Sequence, residues 1–319
     1  SGLAEIYKWF GEFDKAEPYY IQAKEILEKV SAEERDSKIY ALIYGNLISL
    51  GDLYRQIGQY EKSESFLILG REIFIKNFGD TAFPITNALN GLALLYSDKK
   101  EFEKALSLYV QAEEILKKSV GEKSPNYITS LSNLASVYVE LAQYDKGETI
   151  LLRAIELRKE TSGEESRDYA SSINNLASHY FKTGQYLKAE PLYIQAKNIR
   201  EKVLGKYHPV YAENLSNLAL LYVATEQYEK AEPLLLLNSE IVLKNLTNTF
   251  GILSENEKGN YLNKIESIIS TTNSLLYNWK KASPATIKNN FNLQLFFKSL
   301  SLADTHNMLE LVSKSKDSV

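Results

Sequence analysis

Side chains that move protons, bind metals or attack bonds are scarce in this 319-residue sequence, and they do not gather. It holds three histidines and no cysteine. Disulfides, thiolate metal sites and cysteine catalysis are therefore excluded within this chain. His179, His208 and His306 are far apart, with no acidic cluster at ligand spacing, which argues against a metal site. His179 precedes Tyr180 on a helix and reads as a packing residue. His208 sits in a His-Pro connection and reads as a turn residue, and His306 stands alone near the C-terminus. No G-x-x-x-x-G-K-[ST] loop and no G-x-G-x-x-G after a strand is present. No catalytic residue, metal or cofactor is expected, and the chain is not expected to be an enzyme.

The residues with recognition chemistry are amides. Asn133, Asn175 and Asn217 recur at a spacing of 42. An amide donates and accepts at once, so a row of amides on one face can hold an extended peptide backbone without selecting its sequence. Asn90 and Asn174 stand one position earlier in the same register, and Ser136 and Ser178 three positions later than the row. Arg55 and Lys182 lie further along that face, with Asp52 and Glu140 of opposite sign, so no strongly acidic or basic ligand is expected. The competing reading gives each Asn to a neighbouring helix as a bond that holds the stack. Asn is a poor helix former, and its repeated use mid-helix favours binding for the row. The candidate partner-binding residues are thus Asn90, Asn133, Asn174, Asn175, Asn217, Ser136, Ser178, Arg55 and Lys182.

Those positions need a repeating scaffold, and the sequence contains one. From Leu176 to Ala196 it reads L-A-x-x-Y-x-x-x-G-x-Y-x-x-A-x-x-x-Y-x-x-A, through Leu176, Ala177, Tyr180, Gly184, Tyr186, Ala189, Tyr193 and Ala196. The pattern returns around Leu50-Gly51, Leu92-Ala93, Leu134-Ala135 and Leu218-Ala219, and incompletely at Leu3-Ala4. Such self-similarity predicts a solenoid of two-helix units. A small residue lets the neighbouring helix approach, the tyrosine fills the groove beside it, and Gly184 ends the first helix. In copy six Asn238 replaces the expected small residue, which predicts that the array changes character there. A polar insertion at Ser31–Ser37 stretches the step from Phe13 to Tyr60 to 47 residues. Pro125 and Pro209 suit helix starts, and Pro18, Pro191 and Pro233 are expected at the start of second helices. The truncated first copy leads us to expect a fragment of a longer protein.

The pattern resembles the tetratricopeptide repeat (TPR) in its 42-residue, kinesin-light-chain-like form, as in Gly205-Lys-Tyr-His208-Pro209 followed by Asn214–Tyr222. The resemblance implies an all-α, right-handed superhelical solenoid over residues 1–247, of about five and a half repeats. Its first helices would line a concave groove that takes a protein or peptide ligand, with Asn at matching positions touching it. Beyond about residue 247 the period stops. Ser254–Glu257 reads as a capping box, Tyr261, Ile265, Ile268, Ile269, Leu275, Leu276 and Trp279 as a helical stripe, and Ser283-Pro284 as the start of a further helix. The runs Leu253–Lys264 and Asn292–Leu300 resemble the linker of bacterial TPR–CHAT proteins, which carry a caspase-like protease domain. That likeness implies that 248–319 is a helical extension toward a CHAT domain outside this chain. It also brings a CRISPR type III-E effector ribonucleoprotein into view as a partner through protein contacts. The alternative is a stand-alone adaptor for linear peptides.

Net charge is −4, so no electrostatic case exists for direct nucleic-acid binding. No apolar run approaches the roughly 18 residues of a membrane span, and a cytoplasmic location is the expectation.

Overall fold

The computed structural model describes residues 2–9, 13–30, 36–249 and 255–300. Gly11, Ser254, His306 and the tail 313–319 lie outside them, as do the side chains of Tyr261, Ile265 and Leu300. The described residues form helices and no strand. The chain divides into two compact units, Ser1–Glu164 and Glu165–Val319.

Unit 1 holds four helical hairpins: α1 (Gly2–Trp9) with α2 (Phe13–Lys29), α3 (Ser37–Gln56) with α4 (Tyr60–Phe78), α5 (Ile85–Asp98) with α6 (Phe102–Ser119), and α7 (Pro125–Glu140) with α8 (Tyr144–Ser162). Unit 2 holds α9 (Arg167–Lys182) with α10 (Tyr186–Leu204), α11 (Pro209–Ala224) with α12 (Tyr228–Thr249), and α13 (Glu255–Asn278) with α14 (Pro284–Leu300). Within each unit a hairpin also packs on the next: α2 on α3, α4 on α5 and α6 on α7, then α10 on α11 and α12 on α13.

Small residues set the spacing of each hairpin. Ala93, Ala135, Ala177 and Ala219 are buried on first helices, and Ala105, Ala189 and Ala231 on second helices. Gly51 occupies the first-helix position in copy two, where a β-carbon would lie 2.5 Å from Leu67 Cγ. Tyr20, Tyr109, Tyr193, Leu67, Leu151 and Leu235 then fill the space between the two helices. Asn238 keeps the copy-six hairpin closed by a bond rather than by small size: it is buried and donates to Ser216 Oγ at 2.5 Å.

Five turns between paired helices, from α3–α4 to α11–α12, repeat one geometry. The residue after the helix cap has positive φ in five copies: Gly58, Lys100, Ala142, Gly184 and Glu226. The next N–H returns to the wedge-tyrosine carbonyl: Gln59 to Tyr54, Glu101 to Tyr96, Gln143 to Tyr138, Gln185 to Tyr180 and Gln227 to Tyr222, each at 2.8 Å. This is a Schellman closure. Glycine was the expected helix stop, yet three copies hold the same conformation with a side chain, because the carbonyl bond imposes it.

Side chains cap the starts of α7, α9 and α11, whereas α5 starts after Pro84 with no side-chain cap. Ser124 accepts from the Asn126 N–H and Ser166 from the Tyr169 N–H. His208 fills the same role, its Nδ1 accepting from the Val210 N–H at 3.1 Å. Pro125 and Pro209 occupy first helical positions. Pro18, Pro191 and Pro233 do not: each is the sixth residue of its helix, inside α2, α10 and α12. In α10 the carbonyl that Pro191 leaves without its helical donor belongs to Leu187, which is 91% exposed, so water can satisfy it.

Candidate partner-binding face

In unit 1 the outward face of the first helices carries a chain of charges. Lys8 Nζ of α1 lies 2.9 Å from Asp52 Oδ2 of α3. Arg55 meets Asp52 Oδ1 at 3.1 Å and reaches Asp98 Oδ2 of α5 at 2.7 Å, while Gln56 donates to Asp52 at 2.8 Å. Burial opposes the charge on Asp52, but Lys8 and Arg55 hold its carboxyl below the usual range. Burial likewise opposes the Arg55 cation, and the Asp98 and Asp52 carboxylates push its pKa up. Arg55 therefore stands committed to two carboxylates, and a ligand anion must displace one of them. Further along, Ser136 is exposed and Asn133 half-buried. Asn90 is half-buried, with a buried Oδ1 that has no hydrogen-bond partner.

In unit 2 the two adjacent amides of α9 part company. Asn174 is 5% exposed, and its Oδ1 accepts from Asn214 Nδ2 at 3.0 Å and from Asn217 Nδ2 at 3.5 Å. Asn175 faces solvent, and Lys182, two turns on, is exposed. Asn217 is half-buried and shares its face with Leu220, which is exposed on the next turn. Ser178 is occupied by its own hairpin, its Oγ accepting from Tyr193 OH at 3.0 Å. Of the amides expected to meet a ligand, Asn175 is presented outright and Asn217 in part. Asn174 holds α9 to α11, and Ser178 holds α9 to α10.

Three of the wedge tyrosines, Tyr54, Tyr96 and Tyr222, are closed off from both sides. Their hydroxyls donate to carboxylates of the preceding second helix: Tyr54 to Glu17 at 2.5 Å, Tyr96 to Glu64 at 2.7 Å and Tyr222 to Glu190 at 2.9 Å. Burial and Glu17 push Tyr54 up to about 12, and burial and Glu190 do the same to Tyr222. The hydrogen bond to Glu64, with burial behind it, takes Tyr96 to about 12. A lysine eight residues on covers the wedge ring in five copies, at 4.9 Å for Lys62 over Tyr54, 5.0 Å for Lys104 over Tyr96, 5.5 Å for Lys146 over Tyr138, 4.8 Å for Lys188 over Tyr180 and 5.0 Å for Lys230 over Tyr222. Neither set was identified from the sequence, although the Tyr–Lys interval recurs with the same period. These clamps are structural, and they leave the amides and short side chains as the accessible groups.

No cluster of three or more His, Asp or Glu that could hold a metal ion occurs among the described residues. No described helix is long and apolar enough to cross a membrane. The sequence matches the tetratricopeptide repeat family over residues 42–118, 84–160 and 168–236, more than half of the chain. It belongs to that family. No curated protein matches it in sequence. Among solved structures, this TPR chain is similar to BtubC (BKLC) from P. vanneervenii, with TM-score 0.61 and 21% identity, covering 74% of this chain and 92% of that one. It is also similar to a putative kinesin light chain with nearly identical TPR-like repeats from Podosopora anserina, with TM-score 0.52 and 25% identity over 62% and 94% of the two chains. A Rap protein solved in complex with Competence and Sporulation Factor shares the fold at TM-score 0.52 and 14% identity, over 94% and 100%.

Proposed function

We propose that this chain is a binding scaffold that takes a protein or peptide partner on the first-helix face of its repeats. The observation that carries the reading is that the first helices of unit 2 present amides and an exposed aliphatic side chain: Asn175 on α9, and Asn217 with Leu220 one turn on in α11. An extended peptide backbone needs donors and acceptors at intervals with apolar contacts between them, and this face offers both. The Rap protein captured with Competence and Sporulation Factor supports the reading as a fold-level analogy. The test is a pull-down with the chain as bait, beside a variant with Asn133, Asn175 and Asn217 all changed to Ala whose melting curve matches wild type. A partner lost by the variant alone supports the first-helix face. A partner retained by both moves the interface elsewhere.

We further propose that the scaffold is the regulatory part of a bacterial TPR–CHAT protease, in which partner engagement shifts the repeats and releases or aligns the protease domain. A CRISPR effector ribonucleoprotein would then dock through its protein surface. The resemblance of Leu253–Lys264 and Asn292–Leu300 to the family's linker is what supports this reading. The natural sequence beyond Val319 tests it: a downstream His and Cys pair in a caspase-like domain upholds it. Absence of that pair leaves the stand-alone adaptor, which the likeness to a kinesin light chain favours.

A further inference from the structure

The junction of α2, α3 and α4 in unit 1 encloses a cavity of ≈ 330 Å³. Leu27 of α2, Ile43 of α3 and Ile73 of α4 contribute apolar wall, and Lys24 and Lys76 contribute the only charged side chains, both cationic. Tyr40, Leu47, Leu69 and Asn77 line it too, and so does Asn46. Asn46 is 3% exposed, and neither its Oδ1 nor its Nδ2 has a hydrogen-bond partner.

The next junction shows why the space exists. Counting the inserted residues, Leu27 falls in register with Phe74, and Asn46 with Ala88. There Phe74, Ile85, Ala88 and Leu89 close into one apolar cluster. At the first junction a leucine stands where a phenylalanine would fill the gap, and an amide stands where alanine would line it. A buried amide without partners costs stability in a way that alanine does not. The same register holds an asparagine in copy six, Asn214, and that one is paired with Asn174. Asn214 keeps one buried atom, its Oδ1, without a partner, whereas Asn46 keeps both, and its fully unpaired amide coincides with a cavity large enough for a small molecule.

We propose that this cavity binds a small amphipathic carboxylate bearing an amide, of the N-acylated aliphatic amino acid type. The aliphatic group packs on Leu27, Ile43 and Ile73, the amide pairs with Asn46, and the carboxylate meets the Lys24 and Lys76 ammonium groups. With no acidic residue in the lining, the selection is for an anion. The same chemistry is presented by a free acylated amino acid and by the last residue of a polypeptide.

N-acetyl-L-leucine titrated into the full chain by calorimetry is the first probe, and saturable binding below about 10 mM is expected. N-acetyl-L-leucinamide, which lacks the carboxylate, and 4-methylpentanoate, which lacks the amide, should each bind about 10-fold more weakly. Leu27→Phe should abolish binding while holding or raising the melting temperature, because it fills the space as Phe74 does. Asn46→Ala should raise the melting temperature of the unliganded chain and erase the preference for the amide. No saturation by N-acetyl-L-leucine, or undiminished binding to Leu27→Phe, overturns the proposal. An acetylated peptide ending in leucine separates the sources: tighter binding than N-acetyl-L-leucine assigns a polypeptide terminus, and equal or weaker binding assigns a free acid.

Discussion

Asn174 accepts two amide bonds from α11, so changing it to alanine strands Asn214, which is fully buried. We expect Asn174→Ala to cost about 1–3 kcal/mol in urea unfolding. Asn175→Ala, one residue on and facing solvent, should stay within about 0.5 kcal/mol while weakening partner capture. The two variants separate a stacking amide from a binding amide. Their difference was not readable in sequence. Both residues sit mid-helix, and what distinguishes them is Asn214, forty residues away, which one reaches and the other does not. Arg55 carries the same lesson, since its pairing with Asp98 of the next hairpin depends on which side chains share a level between repeats.

At the level of helices and turns, the 42-residue period made the hairpins, their tyrosine wedges and their small contact residues legible, because those signals are local and recur. The turns were legible only where glycine marked them. Ala142 holds the positive-φ position with a β-carbon, so Ala142→Gly should stabilise the chain by about 0.5–1 kcal/mol in thermal unfolding. Gly51→Ala should do the reverse. The added methyl meets Leu67, and the clash outweighs the better helix propensity, for a net loss of about 1–2 kcal/mol by the same measurement. His208 makes the start of α11 sensitive to acid. Burial, with Arg167 and Arg200 nearby, holds its pKa below the ordinary 6.5, so the folded chain keeps the imidazole neutral as a cap. As pH falls the unfolded chain takes up the proton first. The cap's contribution is therefore complete above about 6.5 and drains away below it, toward the folded pKa. His208→Ser keeps a capping oxygen and should show a shallower loss of stability than wild type between about pH 7 and 5.

Across the whole chain, two compact units each carry their own buried clusters, and each contains one of the two tryptophans, Trp9 in α1 and Trp279 after α13. Trp279 stacks on Tyr228, with ring centroids 6.1 Å apart. Close by, Glu232 of α12 accepts from the Ser283 N–H and the Thr286 hydroxyl, both at 2.6 Å, at the start of α14. Burial works against that carboxylate, but the bonds from Thr286 and Ser283 hold its pKa below the usual value. The anchor is in place above the ordinary carboxylate pKa and is lost as pH falls through the folded one. In a Trp9→Phe background, Glu232→Gln should lower the fluorescence melting temperature of Trp279, and its penalty should shrink in acid as the wild-type carboxylate also protonates.

The recurring turn has a consequence for heredity. Five copies carry the same backbone geometry at their middle, between the paired helices, and that geometry tolerates glycine, lysine, alanine or glutamate at its strained position. A recombination that deletes or duplicates one whole copy inside a unit would therefore rejoin like with like, leaving every wedge tyrosine opposite a carbonyl-bonded turn. The gene can change the length of its array by misaligned copying without inventing a new join.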